Sequence, residues 1–159
     1  MSVNSRTKGK TFEQAIARDL RAWLGDGWLV ERNQTDRQRG AGASGTAGEF
    51  SIMRSDVASG PPFAWCVECK RHESFDEGHL WRSPVVGPLP AWWAQATRQA
   101  AAVGRKPLLV VKRNHGETLA LVRPDDWKRP VCTPWQRVSV ADEFVLVMRW
   151  ADWLTLAEP

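Results

Sequence analysis

The run Trp65-Cys66-Val67-Glu68-Cys69-Lys70 holds two residues whose types and spacing suit phosphodiester chemistry. Side chains alternate faces along a strand, so Glu68 and Lys70 point one way while Trp65, Val67 and Cys69 point the other, into a core. A carboxylate on that edge is a ligand for a hard divalent cation. A neighbouring ammonium can orient an attacking water or offset the charge that grows on a phosphorane. The same pair would also suit a solvated strand face, so the reading turns on which further groups the fold brings to that edge.

Residues 52–57 and 63–70 are apolar-bearing stretches joined by Ala58-Ser59-Gly60-Pro61-Pro62, a turn by composition, and they predict a hairpin. That hairpin brings Asp56 close to Glu68, giving the one or two carboxylates that Mg²⁺ needs beside waters and phosphate oxygens. Phe12, Ile16, Leu20 and Trp23-Leu24 recur at helical spacing, with Thr7 or Thr11 as cap and Gly25 as stop. Glu13 skirts this stripe within a turn of Ile16 and Ala17, either reaching a neighbouring cleft or serving as an ordinary acid of the helix. Residues 90–103 predict a second helix, closed by Gly104, that buries Trp93, Ala96, Ala100 and Val103. Trp92, Gln95 and Gln99 share another face, where the glutamines could hold a phosphate or a site water or simply face solvent.

The remaining elements frame these residues. Strands are expected at 28–31, 107–112, 118–122 after the turn Asn114-His115-Gly116, and 144–148. The apolar tail, 150–156, is expected to pack on the domain or on a partner subunit. Between Asn33 and Gly48 the chain is polar, and Gly40-Ala41-Gly42-Ala43-Ser44-Gly45 matches a dinucleotide fingerprint. Such a loop must follow an apolar strand and open a helix, and this one does neither, which argues against a nucleotide site. With Arg32, Arg37 and Arg39 it reads as a phosphate-seeking segment or a plain connection.

At 159 residues the chain suits one domain spanning 1–159. A net charge of +4 and a pI near 9.3 permit a polyanionic partner. Basic residues gather at 6–10, 37–39, 70–71, 105–106 and 112–113. The polar N-terminus and the lack of an 18-residue apolar window predict a soluble cytoplasmic protein with no membrane partner. Cys66 and Cys69, three apart in a strand, face opposite sides, which argues against a zinc or redox pair. Ten tryptophans without a tyrosine are expected in core or interface.

Taken in order, Lys8-Gly9-Lys10-Thr11-Phe12-Glu13, Ser55-Asp56-Val57, Val67-Glu68-Cys69-Lys70-Arg71, Trp92-Trp93-Ala94-Gln95-Ala96 and Pro107-Leu108-Leu109-Val110-Val111 resemble the PD-(D/E)xK nuclease superfamily. Within it the likeness is to the archaeal-type Holliday-junction resolvases and their phage relatives, over residues 8–112. The resemblance implies an α/β (mixed α+β) restriction-endonuclease-like core, a central mixed sheet flanked by helices. It implies Asp56, Glu68 and Glu13 as metal ligands, Lys70 as the group assisting the water, and Gln95 beside them. Glu49, in Gly48-Glu49-Phe50, competes with Asp56 for the second carboxylate, because Ser55 stands where the motif has proline. The implied cofactor is Mg²⁺, with Mn²⁺ able to substitute. The implied partner is branched, four-way-junction DNA, cut by a homodimer in a bacterial cell or phage-infected host, with the tail and the tryptophans as candidate interface. Lys8, Lys10, Arg32, Arg37, Arg39 and Arg71 are the expected phosphate contacts. Two other readings stay open: another PD-(D/E)xK nuclease, restriction-like or recombinational, and a non-catalytic DNA-binding module.

Overall fold

The computed structural model describes residues 5–33, 48–56, 60–73, 75–81, 85–128 and 136–158. The first helix, α1 (Ser5–Leu24), starts ahead of both expected caps, and Thr11 Oγ1 instead donates to the Thr7 carbonyl within the helix at 2.9 Å. Its buried stripe is the expected one, Phe12, Ile16, Ala17, Leu20 and Leu24. Gly25 ends it in the left-handed region (φ +75°), where a side chain would be strained.

β1 (Trp28–Arg32) and β2 (Phe50–Arg54) form an antiparallel ribbon in which Arg32 faces Phe50 and Trp28 faces Arg54. This overturns the expected hairpin between β2 and the strand that follows. Pro61 and Pro62 have no N–H to donate, and Arg54 Nε instead donates to the Pro61 carbonyl at 3.1 Å. The ribbon meets β3 (Trp65–Arg71) at its opposite end, where the Glu49 N–H donates to the Val67 carbonyl at 2.7 Å.

From β3 the chain crosses through α2 (Leu89–Ala102) to β4 (Lys106–Lys112), which lies parallel to β3 with Glu68 opposite Leu109 and Lys70 opposite Val111. β5 (Thr118–Val122), β6 (Gln136–Val140) and β7 (Glu143–Arg149) complete an antiparallel extension, giving the order β3-β4-β5-β7-β6. β6 has no counterpart among the expected strands. Parallel pairing demands a crossover, and α2 supplies it, burying Leu89, Trp93, Ala96 and Ala100 at helical spacing.

Both faces of the sheet are covered. Val67, Cys69, Leu108, Val110, Ala120, Val122, Leu146 and Met148 pack under α1 and the terminal helix α3 (Trp150–Leu156). Leu109, Val111, Leu121, Val145 and Val147 pack under α2. The apolar tail is a helix packed on the domain, one of the two placements expected for it. Trp150 and Trp153 are buried within this chain and stack 5.0 Å apart at 7°, and Trp65 meets Trp153 edge-on at 5.7 Å. No helix among the described residues is long and apolar enough to cross a membrane.

Candidate active site

Because α2 covers the face that Glu68 points to, Glu68 is not on a solvated edge: it is fully buried. Its Oε1 accepts a hydrogen bond from Gln95 Nε2 of α2 at 2.8 Å and an ion-pair contact from Lys70 Nζ at 2.7 Å. Its Oε2 is buried with no hydrogen-bond partner among the described residues. A buried, partnerless carboxylate oxygen costs about 1–3 kcal/mol or more, so something other than folding keeps it there. Lys70, 22% exposed, holds its ammonium between this carboxylate and solvent.

Glu49 is the second acid at this place. It is 2% exposed, and its backbone bond to Val67 seats it against the middle of β3. Gly48 makes that seat: it has φ +79°, and a Cβ there would lie 2.5 Å from the Val67 carbonyl oxygen and 2.9 Å from Cys66 Sγ. Only a residue without a side chain lets the chain approach β3 this closely. Glu13, from α1, pairs with Arg32 Nε at 3.3 Å. The Cys69 thiol registers the arrangement. Burial pushes it well above the usual thiol range, and the negative charges of Glu49, Glu68 and Glu13 push it further, with Lys70 opposing.

Asp56 lies elsewhere. It is exposed, seven residues beyond Glu49, or about 20 Å of extended chain, at the end where the Ser55 N–H donates to the Gly27 carbonyl at 3.0 Å. The correction follows from the ribbon's register: the end of β2 that carries Asp56 belongs with the turn after α1, and the end that carries Glu49 belongs with β3. The signal that marks Glu49 in sequence is the glycine before it. Asp126-Trp127-Lys128 has the same acid-x-lysine letters but lies in and after a 3₁₀ turn, with Trp127 6.5 Å from Trp65 at the opposite end of β3.

Of the expected phosphate contacts, Arg32 is engaged by Glu13, and Lys10 is exposed on α1. Lys8 pairs with Glu73, and Arg71 Nε donates to Asn114 Oδ1 at 3.2 Å. Arg37 and Arg39, with the glycine-rich run beside them, lie outside the described residues.

A divalent cation fits this donor set. Among the described residues no three His, Cys, Asp or Glu side chains form a ready-made cage. Mg²⁺ does not ask for one, since it takes one or two carboxylates and keeps waters and substrate oxygens for the rest. Glu68, with its open Oε2, and Glu49 meet that requirement. Residues 4–147 match the family described as "Phage putative PDDEXK endonuclease". The chain belongs to this family. It is also 28% identical over 130 residues to Protein D14 of Escherichia phage T5, covering 79% of this chain and 75% of that protein. No solved structure matches this chain. The mixed five-stranded sheet between helices is consistent with the restriction-endonuclease-like core of that family.

Proposed function

We propose that this chain hydrolyses DNA phosphodiesters as a Mg²⁺-dependent, structure-selective endonuclease, and that its substrate is the four-way junction. The observation that carries the catalytic part is Glu68: fully buried, fixed through Oε1 by Gln95 and Lys70, and left with an open Oε2, with Glu49 held against the same strand by its backbone bond to Val67. Glu68 and Glu49 would hold the ion, with Glu13 as the third acid nearby. When bound, the ion supplies a Lewis acid for the phosphoryl oxygen and lowers the pKa of a coordinated water.

The chain's own residues supply the rest. Gln95 locks the Glu68 carboxylate in one orientation, so its free oxygen needs no reorganisation at the moment of reaction. Lys70 keeps a positive charge within reach of solvent, where it can steer the attacking water and offset charge on the transferring phosphoryl group. Burial of the acids excludes bulk water, which strengthens each of these electrostatic contacts.

The choice of junction rests on the likeness to resolvases. Symmetric cutting of opposing strands needs two sites related by a two-fold axis, so a homodimer is part of the proposal. Mn²⁺, which also favours oxygen ligands in octahedral geometry, is expected to replace Mg²⁺. The test is cleavage of a synthetic four-way junction beside matched linear duplex and single strand, in Mg²⁺ or EDTA, by the wild type and Lys70→Ala. Paired Mg²⁺-dependent nicks in the junction alone, lost in the variant, support the whole proposal. Cutting of every substrate keeps the nuclease and removes the junction. Salt-sensitive binding without cutting, unchanged in Lys70→Ala, would replace both with a non-catalytic DNA-binding module.

A further inference from the structure

One cluster beyond the acidic centre pairs cationic and amide donors with a single carboxylate. Arg71 follows Lys70 on β3, and its Nε donates to Asn114 Oδ1 at 3.2 Å on the β4–β5 turn. Asn114 in turn donates through Nδ2 to Glu73 Oε1 at 2.8 Å, the same oxygen that Lys8 of α1 contacts. Two elements thus meet on one oxygen, the first turns of α1 through Lys8 and the β4–β5 turn through Asn114, and the end of β3 joins them at one remove, through the bond from Arg71 to Asn114. The Glu73 side chain is 67% exposed, whereas Lys8 is only 25% exposed, so the acceptor is the more solvent-accessible member of the pair. A hydrogen bond from Lys8, then its charge, then the hydrogen bond from Asn114 keep the Glu73 carboxyl below the usual carboxylate range.

We propose that Lys8, Asn114 and Arg71 form a phosphate subsite for the DNA strand leaving the cleavage centre, and that the Glu73 carboxylate occupies the phosphate position in the free protein. The donor set matches that ligand: a lysine for charge, an amide N–H, and a guanidinium with five N–H donors of which Nε bonds Asn114. The location matches as well. Arg71 lies three residues from Glu68 on β3, about 10 Å along a strand. At 3.4 Å of helix rise per phosphate on each DNA strand, that is within a few nucleotides of the bond to be cut. Glu73 then acts as a local competitor that weakens binding of any DNA unable to displace it. Two candidate phosphate contacts of the sequence analysis, Lys8 and Arg71, gain a common ligand, and Asn114 and Glu73 gain roles that their types alone do not suggest.

The inference rests on the DNA-binding reading above, and its test separates the two. Binding of a fluorescein-labelled four-way junction, and of the matched duplex, is followed by anisotropy in EDTA across a KCl series. The proteins are wild type, Glu73→Gln, Lys8→Gln and the double variant. Removing the competing charge in Glu73→Gln should tighten binding about two- to fivefold, the range set by an exposed ion pair. It should also steepen the dependence of log K on log salt by about 0.9, one more phosphate neutralised. In the Lys8→Gln background both gains should vanish, because the subsite then lacks its cation. Unchanged affinity and slope in Glu73→Gln would overturn the subsite, as would gains that persist with Lys8 replaced, since these report only a general loss of negative charge. If the wild type itself binds no DNA at any salt, the functional proposal falls and the subsite with it. Salt-sensitive wild-type binding that is indifferent to Glu73 removes the subsite alone.

Discussion

Replacing Glu68 by glutamine separates the chemistry of the site from the stability of the fold. The substituted side chain would keep one carbonyl oxygen for the two donors now on Oε1, Gln95 Nε2 at 2.8 Å and Lys70 Nζ at 2.7 Å, and would put an amide group where Oε2 has no partner. Two effects oppose each other. Neutralising one member of a buried ion pair is usually costly because it strands the other charge, but Lys70 is 22% exposed and can turn to water. Against that, the fully buried carboxylate with one open oxygen loses its desolvation penalty, on the order of several kcal/mol for an ion in a protein interior. The new amide is itself unsatisfied, which takes back about 1 kcal/mol or more. In EDTA, therefore, Glu68→Gln should lie within about 1 kcal/mol of the wild type, or above it, a shift of about 2–4 °C at most. Adding Mg²⁺ at a hundred times its Kd should stabilise the wild type by about 2.7 kcal/mol and leave the variant unchanged. Urea unfolding followed by fluorescence of the ten tryptophans, with Mg²⁺ and with EDTA, measures both quantities. A metal-free loss above about 2 kcal/mol would show that the carboxylate is there to hold the fold. An equal Mg²⁺ response in both proteins would move the ion elsewhere.

Three other expectations follow from the same geometry. Gly48→Ala places a Cβ 2.5 Å from the Val67 carbonyl oxygen at φ +79°, so about 1–3 kcal/mol of backbone strain and a similar overpacking cost are expected in urea unfolding; a wild-type midpoint would show that the close approach seating Glu49 is not required. Gln95→Ala leaves Glu68 without its α2 donor, and a 10- to 100-fold fall in Mg²⁺-dependent cleavage is expected with little change in DNA affinity, whereas full activity would remove Gln95 from the site. Burial first, then the Glu68 charge, pushes the Cys66 thiol up to about 12; the unfolded chain therefore loses this proton first, and stability should fall between about pH 9 and 12 by about 1.4 kcal/mol per pH unit. That decline should be shallower in Cys66→Ala, and the absence of tyrosine keeps phenol ionisation out of the comparison.

Strand alternation and helical period made Glu68, Lys70 and Gln95 legible in the sequence, along with α1, α2, β3, β4 and β5, because each property is local. What local reading missed was set by non-local pairing. Residues 58–62 have the composition of a tight turn, so β2 reads as the hairpin partner of β3. Its real partner, β1, lies across the long polar connection after Asn33, and the resulting register moves Asp56 away and brings Glu49 in. β6 is a five-residue strand of mixed character, and α3, seven residues long, is too short to show a period. The buried state of Glu68 depends on α2 covering the sheet's second face, which no pattern within β3 reveals. Glu73 and Asn114 meet across 41 positions of chain, with no common motif to join them.

The most direct test of the central claim is a Mn²⁺ titration, read by electron paramagnetic resonance, of the wild type, Glu49→Gln, Glu68→Gln and Asp56→Asn. Saturable binding in the wild type and Asp56→Asn, lost or weakened by 10-fold or more in Glu49→Gln and Glu68→Gln, is the expected result. Binding that survives in Glu49→Gln but disappears in Asp56→Asn would contradict the site built here from β3 and the start of β2.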